Sequence, residues 1–514
     1  MRKWLPLTAV CLGSFMLLID VTIVNVALPS MVVDLHASFG ALQWVVDAYA
    51  LALAALVLGA GSMADIAGHR RAYLGGLALF ALSSLMCGLA PNPGVLVAAR
   101  TVQGAGAAAM LATSFPLLNA SYAGRDRGTA YGIWGAVVGA SSAVGPILGG
   151  LLTEYISWRW IFFVNLPVSA VAIVLSAIVL HDSRSPRRVP VDVPAIVVFS
   201  AAAGCATYSL IRANDDGWSN LGVWLLLAGT AVLLAAFVLL EARSSHPMFD
   251  LALLRNRRFV GVLGGGLLLT FAAFFAFTYT SIWLQSVLGM SPLQSGLTGL
   301  PLSAAAFLAS AFLGRFLHER RGDLVLGAGL ALIGLGDLVA ALMVHGSARW
   351  PALVPGFAII GFGVGIATPI LGSISMSLVP VQRTGMAAGA LNTTRQLGYA
   401  FGIAALGSVF VARASHDLAG RGVAAHSTVA HAIAGGQTPG LLQKAPAPAR
   451  PALDAAAHAA GVVGVQATFA VAGVIGLVAA ALVLVLMRPS RPAAAADPDG
   501  PETAAEPTEV QAGT

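Results

Sequence analysis

Runs of about twenty apolar residues recur along nearly the whole of this 514-residue chain, and that recurrence restricts what it can fold into more than any motif does. A helix of about 20 residues crosses the ~30 Å hydrocarbon core of a bilayer. Inside lipid every backbone N–H and C=O must be satisfied internally, which leaves a helical bundle as the reading for helix-length runs. Only 10% of residues are charged, against roughly a quarter in an ordinary soluble domain. Hydropathy places fourteen spans near 6–29, 41–63, 72–90, 94–117, 129–152, 159–180, 191–211, 221–241, 259–287, 295–317, 324–344, 351–373, 385–412 and 461–487. The fold class is therefore an all-α polytopic membrane protein with 14 transmembrane helices. The first run follows Arg2 and Lys3 but is too long for a signal peptide and contains Asp20, so it reads as a retained span.

The net charge of +6 is spread over short loops without a basic-aromatic face, which argues against nucleic acid as a partner. Of 28 Lys and Arg, 19 fall in one set of alternate loops, and only Arg159, Arg212 and Arg349 fall in the opposite short loops. Basic loops stay cytoplasmic, so both termini are expected inside a cell inner (plasma) membrane. Cys11, Cys87 and Cys205 lie within apolar runs and suggest neither a disulfide framework nor a metal site. Segment 413–460 is expected to be a long, solvated outside loop, because its four histidines fit no compact metal site. The tail 488–514, rich in Ala, Pro and acids, reads as disordered and cytoplasmic.

Charges inside spans are costly and need a partner or a role. Asp20 in the first span and Arg100 in the fourth fall at the same depth, about 5–8 Å outside the span centres, so they can pair. The alternative for Arg100 is snorkelling to the outer headgroups. Asp47 and Asp337 could contact a cationic substrate or carry a proton, and could equally be satisfied structural acids. Arg395 reads as a helix-linking cation before a substrate contact. Phe271, Phe274 and Phe275 share a face of span 9 that would suit greasy or cationic molecules, with packing or lipid exposure as the plainer reading. Gly104-Ala105-Gly106 and Gly361-Phe362-Gly363-Val364-Gly365 lie within spans and lack the strand and Gly-Lys-Ser/Thr of a nucleotide loop, which excludes an ATP-driven pump.

An internal repeat organises the chain. Gly128, Gly132 and Gly145 recur as Gly385, Gly389 and Gly402, each displaced by 257 residues, in spans 5 and 13. Residues 1–180 and 259–487 then form two parallel six-helix halves, with 181–258 holding two inserted helices and their linkers. Such repeats place a binding site between the halves at mid-membrane. Asp65 at the end of span 2, beside Arg70 and Arg71, can latch neighbouring helices, while Gly61 and Gly68 permit close packing and a sharp turn. Positive-inside anchoring is the plain alternative. In span 5, Gly139, Gly145, Pro146, Gly149 and Gly150 describe a kinked helix that others can approach closely.

Taken together, Asp20 to Pro29, Gly61 to Arg71, Arg100 to Gly106 and Gly145 to Gly150 resemble the successive motifs of the major facilitator superfamily. More narrowly the chain resembles its fourteen-span drug:proton antiporter branch, over residues 5–487. Trp158 to Pro167, Leu284-Gln285 with Gly289 to Pro292, and Asn392 to Gly398 are similar too. Ile66 departs from the family loop, which usually has a basic residue there, and Gly314 to Arg320 is a degraded second-half counterpart.

The resemblance implies an exporter of lipophilic, cationic or amphipathic molecules that is not an enzyme, needs no cofactor beyond the proton gradient, and works as a monomer in the bilayer. Asp20 and Arg100 would couple protons. Apart from the resemblance, which obliges no acid at Asp47 or Asp337, the residues read on their own make Asn25, Asp47, Asp337, Phe271, Phe274 and Phe275 the candidate substrate contacts. Gly61, Asp65, Gly68, Arg70 and Arg71 would form the cytoplasmic gate. A dedicated exporter of one endogenous metabolite or antibiotic is the other transport reading. A polytopic enzyme lacks its catalytic constellation, and a sensor lacks its soluble domain.

Overall fold

Helices begin where the sequence supplies caps and prolines. Asn92 and Asp192 each accept a backbone N–H at the start of a helix whose first turn holds a proline, and Ser291 and Gln294 form a capping box that spans Pro292. The computed structural model describes residues 2–35, 39–181, 192–245, 247, 249–313, 321–346, 348–380 and 383–488, and among them every regular element is helical.

The first seven helices are α1 (Leu5–Asp34), α2 (Phe39–Ala67), α3 (His69–Gly88), α4 (Pro93–Ser121), α5 (Gly124–Tyr155), α6 (Trp160–Phe163) and α7 (Asn165–Val179). Next come the inserted helices α8 (Val193–Asp216) and α9 (Leu221–Arg243). The second half is built from α10 (Arg257–Ile282), α11 (Pro292–Leu297), α12 (Leu300–Leu308), α13 (Gly322–Met343), α14 (Val354–Ser377), α15 (Thr384–Gly420), α16 (His426–Ala434), α17 (Thr438–Lys444) and α18 (Arg450–Leu486). Helices α10 and α12 continue through π-helical turns at Trp283–Val287 and Ala309–Leu313. Twelve membrane-length apolar helices lie among the described residues, counting α6–α7 and α11–α12 as one each. The 32-residue α5 and 26-residue α10 are also of membrane-spanning length.

In the first half α1 packs on α5 and α7, α2 on α4, and α3 on α4 and α7. In the second, α10 packs on α15 and α18, α13 on α14 and α18, and α12 on α14. The halves meet along two seams, α2 against α15 and α5 against α11, α12 and α14. The glycine repeat is visible here as symmetry. Gly145 lies against α1 as its counterpart Gly402 lies against α10. The start of α5 meets α12, and the start of α15 meets α2. The insertion is not detached from this frame. Asp192 and Ser244 close the base of the α8–α9 hairpin (2.6 Å), and α8 packs against both α2 and α15.

Both described ends share one face, the termini face. Tyr122 Oη at the end of α4 donates to Lys3 O (3.0 Å), Met487 lies against Gly261, and Arg383 pairs with Asp250 (2.5 Å). On the opposite face, Asp34 accepts from Trp158 (2.9 Å) and Arg159 (2.7 Å).

Segment 413–460 departs from a solvated loop. The spans flanking it continue as helix to Gly420 and from Arg450, and α16 and α17 fold between them. Val429, Ala430 and Ile433 enter the core of the second half. Their spacing is helical, but a nine-residue amphipathic helix is lost among the surrounding Ala, Gly and Pro. Residues 182–191, 314–320 and 489–514, including Arg184, Arg187, Arg188 and the expected tail, lie outside the described residues.

Candidate functional site

Asp20 is fully buried, and its side chain points into the first half rather than between the halves. Its Oδ2 accepts from Arg100 Nη1 at 2.5 Å, and its Oδ1 accepts from Gln103 Nε2 (3.2 Å) and Asn165 Nδ2 (3.1 Å). Gln103 Oε1 receives Arg100 Nη1 (2.7 Å), which leaves the Gln103 amide N–H for Asp20. Gln103 and Asn165 also donate to Ser84 Oγ (3.2 and 3.0 Å), whose hydroxyl donates to Phe162 O (3.0 Å). Arg100 spends its Nε on Val45 O (3.0 Å) and lies over the Tyr49 ring, 4.2 Å from the centroid. Every group reaching the carboxylate is an N–H donor, so the network is matched to its ionised form. Asp20, Ser84, Arg100, Gln103 and Asn165 are each at most 2% exposed.

Helix α5 connects this cluster to the second half. A Cβ on Gly145 would run into the Thr22 side chain, and one on Gly149 would stand 2.8 Å from Ile23 Cγ1, so α1 lies directly on α5. From other sides of α5, a Cβ on Gly139 would stand 3.1 Å from Ala306 and one on Gly150 3.6 Å from Leu293, while Ser310 Oγ donates to Gly132 O (2.9 Å). The side chain of Pro146 lies outside the described residues.

At the termini face, Asp65 in the last turn of α2 accepts from the backbone N–H of Gly385 and of Met386, both at 2.8 Å. These are first-turn N–H groups of α15, where the helix dipole favours an anion. His69 Nε2 stands 3.1 Å from the same carboxylate. A Cβ on Gly61 would run into the Gly385 carbonyl, and one on Gly389 would stand 2.9 Å from Leu58 Cα. Gly68, at φ +104°, makes the α2–α3 turn that L side chains disfavour. Arg70 donates to Ala177 O, and Arg71 is exposed. Deeper in, Phe115 packs with Trp134 (4.6 Å between centroids) and Tyr131 (5.5 Å) and lies against Gly372 of α14. Asn392 of α15 donates to Leu111 O of α4 (3.4 Å), so this side of the inter-half space is shut.

The remaining expected contacts separate. Asp47 is half-buried and lies on the stripe of α2 that carries Leu58, Gly61 and Asp65, facing α15. Phe271 is buried in the second-half core, its backbone against Gly402. Asp337 is fully buried in α13, which packs on α14 and α18, and neither of its oxygens has a hydrogen-bond partner. The side chains of Asn25, Phe274 and Phe275 lie outside the described residues. Sequence reasoning passed over Ser84, Gln103 and Asn165 as working residues. Gln103, three residues from Arg100 and therefore on its helix face, was the one with a usable signal.

Residues 10–403 match the family model of the Major Facilitator Superfamily. The chain is 37% identical over 415 residues to the multidrug resistance protein Stp of Mycobacterium tuberculosis, covering 80% of this chain and 77% of that protein. It is 34% identical over 423 residues to the tetracenomycin C resistance and export protein of Streptomyces glaucescens, covering 80% and 77%. With the cephamycin export protein CmcT of Amycolatopsis lactamdurans it shares 36% over 409 residues, 78% of this chain and 83% of that one. In fold it is similar to the human organic anion transporter MFSD10 (TETRAN), with TM-score 0.62 and 15% identity over 94% of this chain and 99% of the other. On the family match, the relatives and the two-half helical architecture, this multi-pass membrane protein belongs to the major facilitator superfamily.

Proposed function

We propose that this chain is a fourteen-span drug:proton antiporter that exports lipophilic, amphipathic molecules across the cytoplasmic membrane by alternating access. Export is supported by relatives named for multidrug resistance and for tetracenomycin C and cephamycin export. Proton coupling is carried by one observation, the sealed Asp20–Arg100 pair, whose Asp20 lies on α1, the helix packed on α5 at Gly145 and Gly149. The termini face is cytoplasmic on the loop-charge bias, so the state described is closed toward the cytoplasm.

In this state Asp20 is ionised and neutralised by Arg100. A proton arriving from outside replaces Arg100 as the neutralising partner. Protonation also converts one acceptor oxygen into a donor, which Arg100, Gln103 and Asn165 cannot receive in their present orientation. Helix α1 then shifts against Gly145 and Gly149, and α5 passes the shift to α12. The Asp65 contact opens, and the proton leaves inward as Arg100 reclaims the carboxylate. The protein acts as a monomer without a cofactor.

The test is efflux from proteoliposomes under an imposed pH gradient with a mixed compound panel. Gradient-driven efflux is expected from the wild type and not from Asp20→Asn, and unchanged coupled efflux by that variant would sink the assignment. Single-antibiotic names among the relatives favour a second reading, a dedicated exporter of one endogenous compound, which the same panel separates by breadth.

A further inference from the structure

Arg395 is a cation within a membrane span, and among the described residues it has no ion-pair partner. It stands eleven residues after Thr384 in α15, so about 16 Å along the helix and near mid-bilayer. None of the ion pairs among the described residues includes it, and its Nε is buried without a hydrogen-bond partner. A guanidinium does not shed its proton, so at this depth it needs an anion, carbonyl oxygens or a water-filled space.

The neighbours on α15 set its direction. Gly385 and Gly389 face α2, Gly398 and Gly402 face α10, and Asn392 reaches α4 of the first half. Arg395 falls between the α10 and α4 stripes, toward the space between the halves. Its place is built: Thr270 Oγ1 donates to Arg395 O (2.6 Å), and a Cβ on Gly266 would stand 3.4 Å from Arg395 Cγ, so glycine there leaves room for the side chain to pass α10. A second unpartnered group lies on α14, which also packs on α10. Thr368 of α14 is 4% exposed and its Oγ1 has no partner. It is one turn from Leu371, whose side chain would stand 3.6 Å from a Cβ on Gly265 of α10.

We propose that Arg395, with Thr368, binds an anionic oxygen of the exported molecule, such as a carboxylate, phenolate or enolate. Amphipathic acids are then substrates in their own right, beyond the cations that the aromatic and acidic residues suggested. The proposal rests on the export reading above and narrows it. The competing partner is Asp47, the carboxylate on the α2 stripe facing α15. With Leu58 level with Gly389 and the two helices antiparallel, Asp47 is level with about residue 400, roughly 7 Å along the axis from Arg395. An Arg395–Asp47 bridge in another conformation would satisfy the arginine without substrate.

The test uses 1-pyrenebutyrate and 1-pyrenebutyltrimethylammonium, which share an aromatic body and differ in charge. Efflux under a pH gradient and binding to the purified full-length protein by tryptophan quenching are both measured. Arg395→Gln is expected to raise the half-saturation and dissociation constants for the acid at least tenfold and to leave the ammonium probe within twofold. Arg395→Lys should recover part of the loss, and Thr368→Val should weaken the acid alone about threefold. Equal loss of both probes, an unchanged acid, restoration by adding Asp47→Asn, or no pyrenebutyrate binding by the wild type would each overturn the proposal. If the wild type exports neither probe the export reading fails, and acid binding that depends on Arg395 would still uphold the site.

Discussion

Asp65 closes the two halves onto each other by capping α15 at Gly385, a residue 320 positions away. The carboxylate of α2 takes the place of a local N-cap, using both oxygens on the N–H groups of Gly385 and Met386. A capping interaction is worth roughly 0.5–2 kcal/mol, enough to tilt a two-state equilibrium without locking it.

Asp65→Asn keeps one acceptor oxygen and loses the charge. It is expected to weaken closure of the termini face by about 1 kcal/mol, roughly fivefold in population. Spin labels at the exposed positions Arg71 and Ser377 should then show a longer distance population that the wild type lacks. An identical distance distribution would remove Asp65 from the gate.

Gly61→Ala should perturb the same equilibrium more severely. Its new Cβ would meet the backbone of Gly385, whose carbonyl carbon would be 3.0 Å away, and backbone cannot rotate aside. Efflux is expected to fall at least tenfold while each half keeps its fold. Gly145→Ala differs because its first obstacle is the Thr22 side chain, so adding Thr22→Ala should restore part of its activity. Equal rescue of both variants by Thr22→Ala would contradict this difference.

Removing one member of the buried pair should cost more than removing both. Arg100→Ala leaves a carboxylate with two amides and no cation, a loss on the order of 3–5 kcal/mol. Asp20→Asn combined with Arg100→Gln should recover a good part of that stability in thermal unfolding, yet show no gradient-driven efflux. Strict additivity of the two single losses would mean that the residues do not interact.

Asp337→Val is expected to stabilise. The carboxyl is fully buried without a partner, and an unsatisfied buried polar group costs about 1–3 kcal/mol. The midpoint of thermal unfolding in detergent should rise, with efflux within twofold of wild type. Loss of coupled efflux in a stable Asp337→Val protein would instead give this acid a place in proton movement.

Much of the frame was legible in sequence because lipid makes it so. Spans must be apolar and about twenty residues long, so the helical membrane class and the places of the long helices could be read directly. Asp20 and Arg100 could be matched in depth because rise per residue is fixed. Rotation was not legible. Helix α1 is apolar on every side, so no stripe indicates which face Asp20 takes, and only packing of α1 on α5 and α7 turns it inward. Neutral polar residues such as Ser84 and Asn165 carry no signal until three helices bring them to one carboxylate.

The sequence by itself determined the helical membrane class, the halves and the charges that must be paid for inside lipid. Only the tertiary structure decided which charges are paired, that Asp20 belongs to the interior of one half, that Asp65 belongs to the seam, and that Arg395 lies against α10 at Gly266 and Thr270. The physical reason is that hydrophobicity fixes depth along a membrane helix, while azimuth is set by close contacts of small residues that any apolar helix could offer.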